Sequence, residues 1–346
     1  MADPDIASAR RVLVVGPSWL GDAVMAQCLY RALKRTPGTT VDVLTAAAFE
    51  PLLAMMPHVD ETIRSPFQRG KLGLAARYRL GRGLSERNYD QAIVLPNSWK
   101  SALSTWIAGI PVRTGYLGEQ RWGLLNDARR LDESALPMTA QRFAALAAGR
   151  NETAPDPGSL RPALMPTREA VLASAAGAGV DPGSGPILAL CPGAEYGPSK
   201  QWPAESFAEI AGAMLDRDWQ VWLLGSDNDA TVAGEINRLS TNRCTDLTGK
   251  TSIAQAVHLM ALCTAVVSND SGLMHVAAAL QKPLVAIFGS TDPGHTPPLS
   301  DNHRIEYLSL SCSPCFERQC PLYHLNCLKG ITPPSVLADI EALCAS

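Results

Sequence analysis

The sequence lacks the features that would place the protein in a membrane, in the secretory pathway or on nucleic acid. No apolar run reaches the about 18 residues that a membrane-spanning helix needs, and the N-terminal residues MADPDIASAR contain no basic segment followed by an apolar core. Charged residues make up only 18% of the 346 residues and the formal net charge is −3, which gives no overall attraction to nucleic acid. We therefore expect a cytoplasmic protein without a nucleic-acid partner.

The cysteines do not have the pattern of a secreted disulfide framework. Three of the nine, Cys28, Cys191 and Cys263, stand in apolar segments, as buried thiols do in a reducing compartment. Four others follow the spacing C-x2-C-x4-C-x6-C, with His324 between the last two: Cys312, Cys315, Cys320 and Cys327. This spacing matches no common metal signature, so a structural zinc site, an iron–sulfur cluster and free or reversibly paired thiols all remain open. We expect no catalytic metal and no required cofactor.

The first strand, turn and helix lack the glycine fingerprint of a dinucleotide-binding fold. The segment VLVVGPSWLGDAVMA, Val12 to Ala26, has the apolar strand and helix pattern of such a unit. However, Asp22 stands where a G-x-G-x-x-G turn would offer backbone N–H groups to a pyrophosphate. A carboxylate there can act as a general base on a second reactant, and its alternative role is to cap its own helix.

Apolar runs of strand length alternate with amphipathic segments of helix length along the whole chain. The runs fall into two sets, separated by the Pro- and Gly-rich segment 149–166. This alternation predicts an α/β fold of two doubly wound, Rossmann-like domains that face a central cleft. We expect an acceptor-binding domain at residues 1–160 and a nucleotide-binding domain at 161–332. A final amphipathic helix, 333–346, has an apolar face suited to packing on the first domain.

The turn sequence NDSG follows a buried strand of the second domain and precedes a helix. Asp270, Ser271 and Gly272 stand at the start of this helix, and His275 lies in its first turn. Because a helix N-terminus has unpaired N–H donors and partial positive charge, we expect a diphosphate to bind there without metal. The alternative is that Asp270 or Ser271 only caps the helix.

Two further strand ends of the second domain carry residues suited to a nucleotide. A loop with Gly193, Ser199 and Lys200 precedes a helix, and a lysine there can contact a phosphate. Asp227 follows Gly225 at the next strand end, where an acidic residue commonly binds ribose hydroxyls. A solvated loop lysine and a helix-capping aspartate are the alternatives.

A basic stretch in the first domain suggests where an anionic acceptor binds. Residues 64–87 contain seven basic side chains and one acidic one, and such a face would attract carboxylates, phosphates or lipid headgroups. A solvated helix face is the alternative. The segment NSWK follows a strand end and adds two candidates to the same side. The acceptor-side candidates are Ser18, Gly21, Arg64, Lys71, Asn97 and Lys100.

Four segments resemble the ADP-heptose:lipopolysaccharide heptosyltransferases of glycosyltransferase family 9. They occur in the family's order over nearly the whole chain: SWLGDAVMAQCLYRALK, CPGAEYGPSKQWP, LLGSDNDA and NDSGLMHVAAALQKPLVAIFGSTDP. The resemblance implies a GT-B fold and a metal-independent, inverting transfer of heptose from ADP-heptose to the inner heptose of the lipopolysaccharide core. It also implies an enzyme that contacts the cytoplasmic face of the inner membrane, which we expect to be a monomer.

The resemblance also implies roles for individual residues. Asp22 matches the position of the catalytic base, Lys200 that of the diphosphate-binding lysine, and Asp227 an acidic ribose-binding position at which some relatives have Glu. The donor-binding turn and helix are matched by Asp270, Ser271, Gly272, Leu273 and His275. The donor motifs do not fix the acceptor, so heptosyltransferase I or another acceptor specificity is an alternative. A non-catalytic nucleotide-sugar-binding module is a further one.

Overall fold

The computed structural model describes residues 10–67, 72–149, 155–183 and 185–345. The chain divides into two compact units, of which the first ends at Pro162 and the second begins at Ala163. Within the described ranges, no helix is long and apolar enough to cross a membrane.

The first unit is built on a six-stranded sheet in which every neighbouring pair is parallel. Its strands are β1 (Arg11–Val15), β2 (Thr40–Thr45), β3 (Glu61–Arg64), β4 (Gln91–Val94), β5 (Val112–Tyr116) and β6 (Asp127–Arg129). They are ordered β3-β2-β1-β4-β5-β6, which is the order of doubly wound nucleotide-binding folds. The central strands are apolar and buried, as expected for strands covered on both faces. The strand order reverses between β1 and β4, so ligands are expected at the carboxyl ends of these two strands.

Helices connect the strands of the first unit. They are α1 (Leu20–Met25), α2 (Gln27–Leu33), α3 (Glu50–Leu53), α4 (Leu74–Ser85), α5 (Trp99–Ile107) and α6 (Thr139–Ala145). Helices α4 and α5 approach closely, because a Cβ at Gly81 would lie 2.7 Å from the side chain of Ile107. The buried guanidinium of Arg77 joins the same pair of helices by donating to the carbonyls of Leu72, at 2.7 Å, and Lys100, at 2.6 Å.

The second unit repeats the strand order of the first. Its six parallel strands are β7 (Ile187–Cys191), β8 (Gln220–Leu223), β9 (Thr245–Asp246), β10 (Ala265–Asn269), β11 (Leu284–Ile287) and β12 (His303–Glu306). The sheet is ordered β12-β11-β10-β7-β8-β9, and its order reverses between β7 and β10. Strands β7 and β10 are buried throughout and carry the residues that lead into the candidate nucleotide site. The α/β, doubly wound fold class predicted from the sequence is therefore confirmed for both units.

The second unit has seven helices in its described residues. They are α7 (Arg168–Ala178), α8 (Ala204–Leu215), α9 (Ala230–Leu239), α10 (Ile253–Leu262), α11 (Gly272–Ala279), α12 (Asn326–Lys329) and α13 (Pro333–Cys344). We expected the last of these to pack on the first domain. Instead, Val336, Ile340 and Leu343, which share one face of α13 at helical spacing, lie in the core of the second unit. The buried Trp202 contributes to that core and donates its indole N–H to the carbonyl of Ile331 at 3.1 Å.

Candidate functional site

An ammonium and a buried carboxylate form an ion pair at the strand-order reversal of the second unit. Lys200 Nζ lies 2.6 Å from Asp270 Oδ2, and the hydroxyl of Thr291 donates to the same oxygen at 2.5 Å. The two charged side chains are only 13% and 5% exposed, so water screens the pair weakly. The alternative of a solvated loop lysine is therefore wrong. The pair holds a cation where the carboxyl ends of β7 and β10 meet.

The turn between β10 and α11 does not cap its helix with a side chain. Ser271 is the N-cap residue, but its hydroxyl accepts no hydrogen bond from the first turn, and the carboxylate of Asp270 is bound by Lys200. The capping alternative for these two residues is therefore wrong. The turn is fixed by Asn269, whose side-chain amide donates to the carbonyl of Pro192 at 2.7 Å. Gly272 and Leu273 thus begin an eight-residue helix whose N-terminus suits an anion.

His275 is a buried member of this helix rather than a surface histidine. Burial lowers its pKa from 6.5 to about 4, although the neighbouring carboxylate of Asp270 opposes the shift. The imidazole is therefore neutral at pH 7, and it does not supply positive charge to a diphosphate. Among the described residues of this turn and helix, positive charge comes from the ammonium of Lys200 and the partial charge of the helix N-terminus.

Ser199, predicted to contact the donor, has its hydroxyl directed into the protein. It is 1% exposed, donates to the backbone carbonyl of Glu317, and accepts a hydrogen bond of 3.1 Å from the hydroxyl of Ser290. Its side chain therefore fixes the loop that carries Lys200. Gly193, in contrast, lies at the end of β7, at the switch point itself.

The acidic turn after β8 places a different carboxylate over the strand ends than the one predicted. A Cβ at Gly193 would collide with the carboxylate of Asp229, and a Cβ at Gly225 would come within 2.9 Å of it. Asp227 is exposed and lies against Gly249 instead. Both aspartates belong to one 3-10 turn, in which residues two apart point in different directions. The S-x-x-D spacing from Ser226, which forms a capping box, was the sequence signal that distinguishes Asp229.

The first unit brings together the predicted residues that follow β1 and β4. Asp22 is half-buried in the first turn of α1, with Gly21 beside it and the exposed Ser18 before the helix. Asn97 follows β4, the neighbour of β1 in the sheet, and Lys100 lies in the first turn of α5. Because parallel strands end at the same edge, these residues share the strand-order reversal of the first unit.

The predicted basic stretch is only partly available to a ligand. Arg77 is buried in the fold, and the 69% exposed side chain of Arg64 forms an ion pair with Glu50 at 2.7 Å. Lys71 lies outside the described residues. Arg79 and Arg82 are exposed on α4. The fold therefore uses part of the charge that the sequence suggested for the acceptor.

Sequence reasoning missed two polar side chains that organise the sites. Arg121 is 1% exposed and donates to the carbonyl of Pro96 at 2.6 Å and to the amide oxygen of Asn97 at 3.2 Å. Thr291 donates to Asp270. Each of these residues is more than 20 positions from these hydrogen-bond partners along the chain, so the contacts emerge only from the fold, although Thr291 lies in one of the four segments that resemble the family.

The four clustered cysteines line one cavity together with His324, Ser199 and Ser290. All four are free thiols. Burial and the neighbouring thiols raise the pKa of Cys327, whereas hydrogen bonds from backbone N–H groups, chiefly that of Leu325, lower the pKa of Cys320. Within the described ranges, no group of three or more His, Cys, Asp or Glu side chains is arranged to hold a metal ion. The zinc and iron–sulfur interpretations thus have no support from the structure.

The chain is similar to known proteins over nearly its whole length. A family profile described as glycosyltransferase family 9 (heptosyltransferase) matches residues 77–326. Lipopolysaccharide heptosyltransferase 2 of Escherichia coli is 43% identical over 341 residues, which cover 96% of this chain and 98% of that protein. Lipooligosaccharide heptosyltransferase 2 of Haemophilus influenzae is 43% identical over 304 residues, which cover 85% of this chain and 87% of that protein.

Solved structures show the same fold. The structure of the E. coli ADP-heptose lipopolysaccharide heptosyltransferase II superposes with a TM-score of 0.86 at 42% identity, and the match covers 97% of this chain and 98% of that one. An E. coli heptosyltransferase solved with ADP has a TM-score of 0.70 at 21% identity and covers 96% of this chain and 99% of that one. The second match bears on the fold alone.

Proposed function

The chain belongs to glycosyltransferase family 9 (heptosyltransferase) and has the GT-B fold, and from this premise we propose the reaction and the acceptor of this glycosyltransferase. The enzyme moves heptose from ADP-L-glycero-β-D-manno-heptose to the inner heptose of the lipopolysaccharide core, with inversion at the anomeric carbon. The similarity to heptosyltransferase 2 proteins over nearly the full chain supports this acceptor. The observation that carries the donor assignment is the ion pair of Lys200 and Asp270, to which Thr291 donates, beside the N-terminus of α11.

The donor is proposed to bind to the second unit. Its diphosphate accepts hydrogen bonds from the first backbone N–H groups of α11 and contacts Lys200, which Asp270 and Thr291 hold in place. Its ribose hydroxyls donate to Asp229, since this carboxylate lies over the ends of β7 and β8. One oxygen of Asp229 already accepts two hydrogen bonds of 2.8 Å from Ser226, which orient the other.

The proposed chemical step is a direct displacement. The acceptor hydroxyl loses its proton to Asp22 as its oxygen forms a bond to the anomeric carbon. The bond between that carbon and the ADP oxygen breaks, and the electron pair leaves with the diphosphate. The helix N-terminus and Lys200 stabilise this developing charge. No enzyme nucleophile takes part, so attack from the face opposite the leaving group inverts the configuration.

This chemistry is proposed to require no metal ion. The ammonium of Lys200 and the dipole of α11 offset the negative charge of the diphosphate, which a divalent cation would otherwise do. The four clustered cysteines take no part in the proposed step.

The proposed place of action is the cytoplasmic face of the inner membrane, with the enzyme as a monomer. Helix α4 exposes Leu74 and Tyr78 together with Arg79 and Arg82, a combination of apolar and basic side chains that suits anionic headgroups. Sedimentation with vesicles containing an anionic phospholipid tests this contact. Charge reversal of both arginines, R79E and R82E, is expected to reduce binding, and equal binding by the variant would remove α4 from the contact.

The experiment that tests the reaction is ADP release from ADP-heptose in the presence of EDTA, with and without acceptor. Release that needs an acceptor bearing a single inner heptose, and that EDTA does not affect, would establish transfer, acceptor and metal independence together. Release only with a heptose-free acceptor would point to heptosyltransferase I activity. Donor binding without turnover on either acceptor would favour a different acceptor or a non-catalytic nucleotide-sugar-binding module.

A further inference from the structure

The cysteine-bearing segment holds the loop that carries the donor lysine. We call residues 312–327 the thiol segment, and residues 192–203, between β7 and α8, the donor loop. Three consecutive carbonyls of the thiol segment accept hydrogen bonds from the donor loop. Those of Phe316 and Glu317 accept from the hydroxyls of Tyr196 and Ser199, and that of Arg318 accepts from the Ser199 N–H at 3.3 Å. The donor loop is thus attached to the thiol segment through main-chain atoms.

Ser290 also connects the thiol segment to the donor loop. Its hydroxyl donates to Ser199 at 3.1 Å, and its carbonyl accepts from the N–H groups of Cys315, at 3.1 Å, and Phe316, at 2.8 Å. It is 1% exposed, so water competes little for these bonds. The next residue, Thr291, donates to the carboxylate that binds Lys200. The thiol segment is therefore connected to the ammonium of Lys200 through hydrogen bonds to Ser290, the peptide bond between Ser290 and Thr291, and the hydrogen bonds of Thr291 and Lys200 to Asp270.

The two elements also approach too closely for one of them to move alone. Gly197 has a φ of +154°, and a Cβ there would lie 2.5 Å from the carbonyl oxygen of Arg318. Within the same loop, the ring centroid of Tyr196 lies 4.9 Å from Lys200 Nζ and 5.3 Å from the guanidinium carbon of Arg318. A shift of residues 316–318 therefore shifts the surroundings of Lys200.

The four thiols are placed to cause such a shift. They line one cavity, and Ser199 and Ser290 form part of its wall. Along the chain, Cys315 and Cys320 flank the three carbonyls that hold the donor loop. Since a disulfide needs a narrow range of Cα separations and Cβ directions, a bond between two of these free thiols constrains the backbone that carries them.

We propose that the thiol segment positions Lys200 for the donor diphosphate, and that forming a disulfide among its four thiols weakens donor binding. This inference rests on the proposed function. Two thiols lose two protons and two electrons, and a sulfur–sulfur bond forms. A two-electron thiol oxidant such as diamide takes up both protons and both electrons and becomes the hydrazine. Reduction by a dithiol reverses the step.

The test uses the full chain in a Cys344→Ser background, which removes the exposed cysteine outside the segment. Calorimetry measures the affinity for ADP-heptose before diamide treatment, after it, and after reduction with dithiothreitol. Peptide mapping locates the disulfide. We expect about a tenfold loss of affinity that reduction restores, a size usual for coupling between two sites. In turnover kcat/KM should fall at least as much as the affinity, because Lys200 is proposed both to contact the bound diphosphate and to stabilise the charge that develops on it.

Two variants separate the coupling from general damage. Ser290→Ala removes the hydroxyl that joins the donor loop and is expected to weaken donor affinity. Ser240→Ala removes a buried hydroxyl of the same unit that donates to the carbonyls of Ile236 and Ala208, outside the thiol segment and the donor loop, and it is expected to leave donor affinity within about twofold. A protein in which the four clustered cysteines are replaced by serine should no longer respond to diamide.

The outcomes distinguish this inference from the proposed function. A disulfide mapped to the thiol segment with unchanged donor affinity would overturn the inference alone, and so would failure of diamide to form one there. If neither the reduced nor the oxidised protein binds ADP-heptose, the proposed function fails and the inference fails with it. A response to diamide that persists in the four-serine protein assigns the effect to the other cysteines and also overturns it.

Discussion

The two units have one strand order and two different chemistries at the point where that order reverses. In the second unit, the turns after β7 and β10 are joined by the Lys200–Asp270 ion pair and by the buried amide of Asn269. In the first unit, the turns after β1 and β4 present a half-buried Asp22 and an exposed Asn97. A shared topology places a ligand at the reversal, but the turn residues decide which ligand.

The difference between the turns matches the charges that the two reactants bring. A nucleoside diphosphate needs fixed positive charge, and the second unit supplies it from an ammonium whose partners leave it little freedom to reorient. An acceptor hydroxyl needs a carboxylate that can take a proton. Under the proposed mechanism, the buried ion pair of the second unit lies on the side of the leaving group.

The largest effect is expected from the substitution that removes the proposed base from the first unit. Asp22→Asn should lower kcat by roughly 100-fold or more and leave the affinity for ADP-heptose within about twofold, because the donor is proposed to bind to the other unit. ADP-release kinetics and calorimetry measure the two quantities. Glu86→Gln, a change at an exposed acid of the same unit, is the control. Undiminished turnover by the Asp22 variant would remove this residue from the mechanism.

The next effect tests whether the ion pair of the second unit serves binding as well as structure. Lys200→Met leaves a 5% exposed carboxylate without its cation, and should lower the free energy of unfolding by about 3 kcal/mol and ADP affinity by about 30-fold. A second change, Asp270→Asn, should restore the stability but not the affinity. Recovery of both would make the pair purely structural.

Arg64→Met is the matched variant in the first unit. The Arg64 side chain is 69% exposed, so water screens its pair with Glu50, and we expect no measurable shift of the urea midpoint of unfolding. A measurable shift would contradict the contrast between the two units.

The buried histidine predicts an acid sensitivity that originates in the second unit. The pKa of His275 is lowered to about 4 from 6.5, so the unfolded chain binds the proton more readily between these values. The contribution of the neutral imidazole to stability is fully present above pH 6.5 and is lost as the pH falls towards 4. At pH 5 the loss in the free energy of unfolding is about 2 kcal/mol. Urea unfolding at several pH values should show that the free energy of unfolding falls more steeply below pH 6.5 in the unaltered protein than in His275→Gln. Parallel pH profiles would contradict it.

The smallest expected effect distinguishes two neighbouring carboxylates. Asp229→Asn should weaken ADP-heptose binding by about tenfold, since a hydrogen bond from a ribose hydroxyl to a charged acceptor is lost. Asp227→Asn, two residues away in the same turn, should change it by less than about twofold. Calorimetry on the two variants decides between them, and the reverse order of effects would restore the sequence-based choice of Asp227.

The sequence predicted the fold class, because the fold class depends on local patterns. Alternation of apolar strands and amphipathic helices indicates parallel sheets wherever the chain folds. Lys200 and Asp270 were chosen separately, from a loop and a helix start, and the fold places them in contact across 70 residues. The mistaken alternatives, a solvated lysine and a capped helix, are equally consistent with the local sequence.

What the sequence determined by itself is the order of elements and the residue types at each strand end. Only the tertiary structure decided that Asp229 and not Asp227 lies over the strand ends, that Ser199 faces the thiol segment, and that α13 packs in the second unit. The physical reason is that side-chain direction within a turn and the partner of a buried polar group depend on segments distant in the chain. A local pattern specifies a residue's chemistry, whereas the packed fold specifies what that chemistry faces.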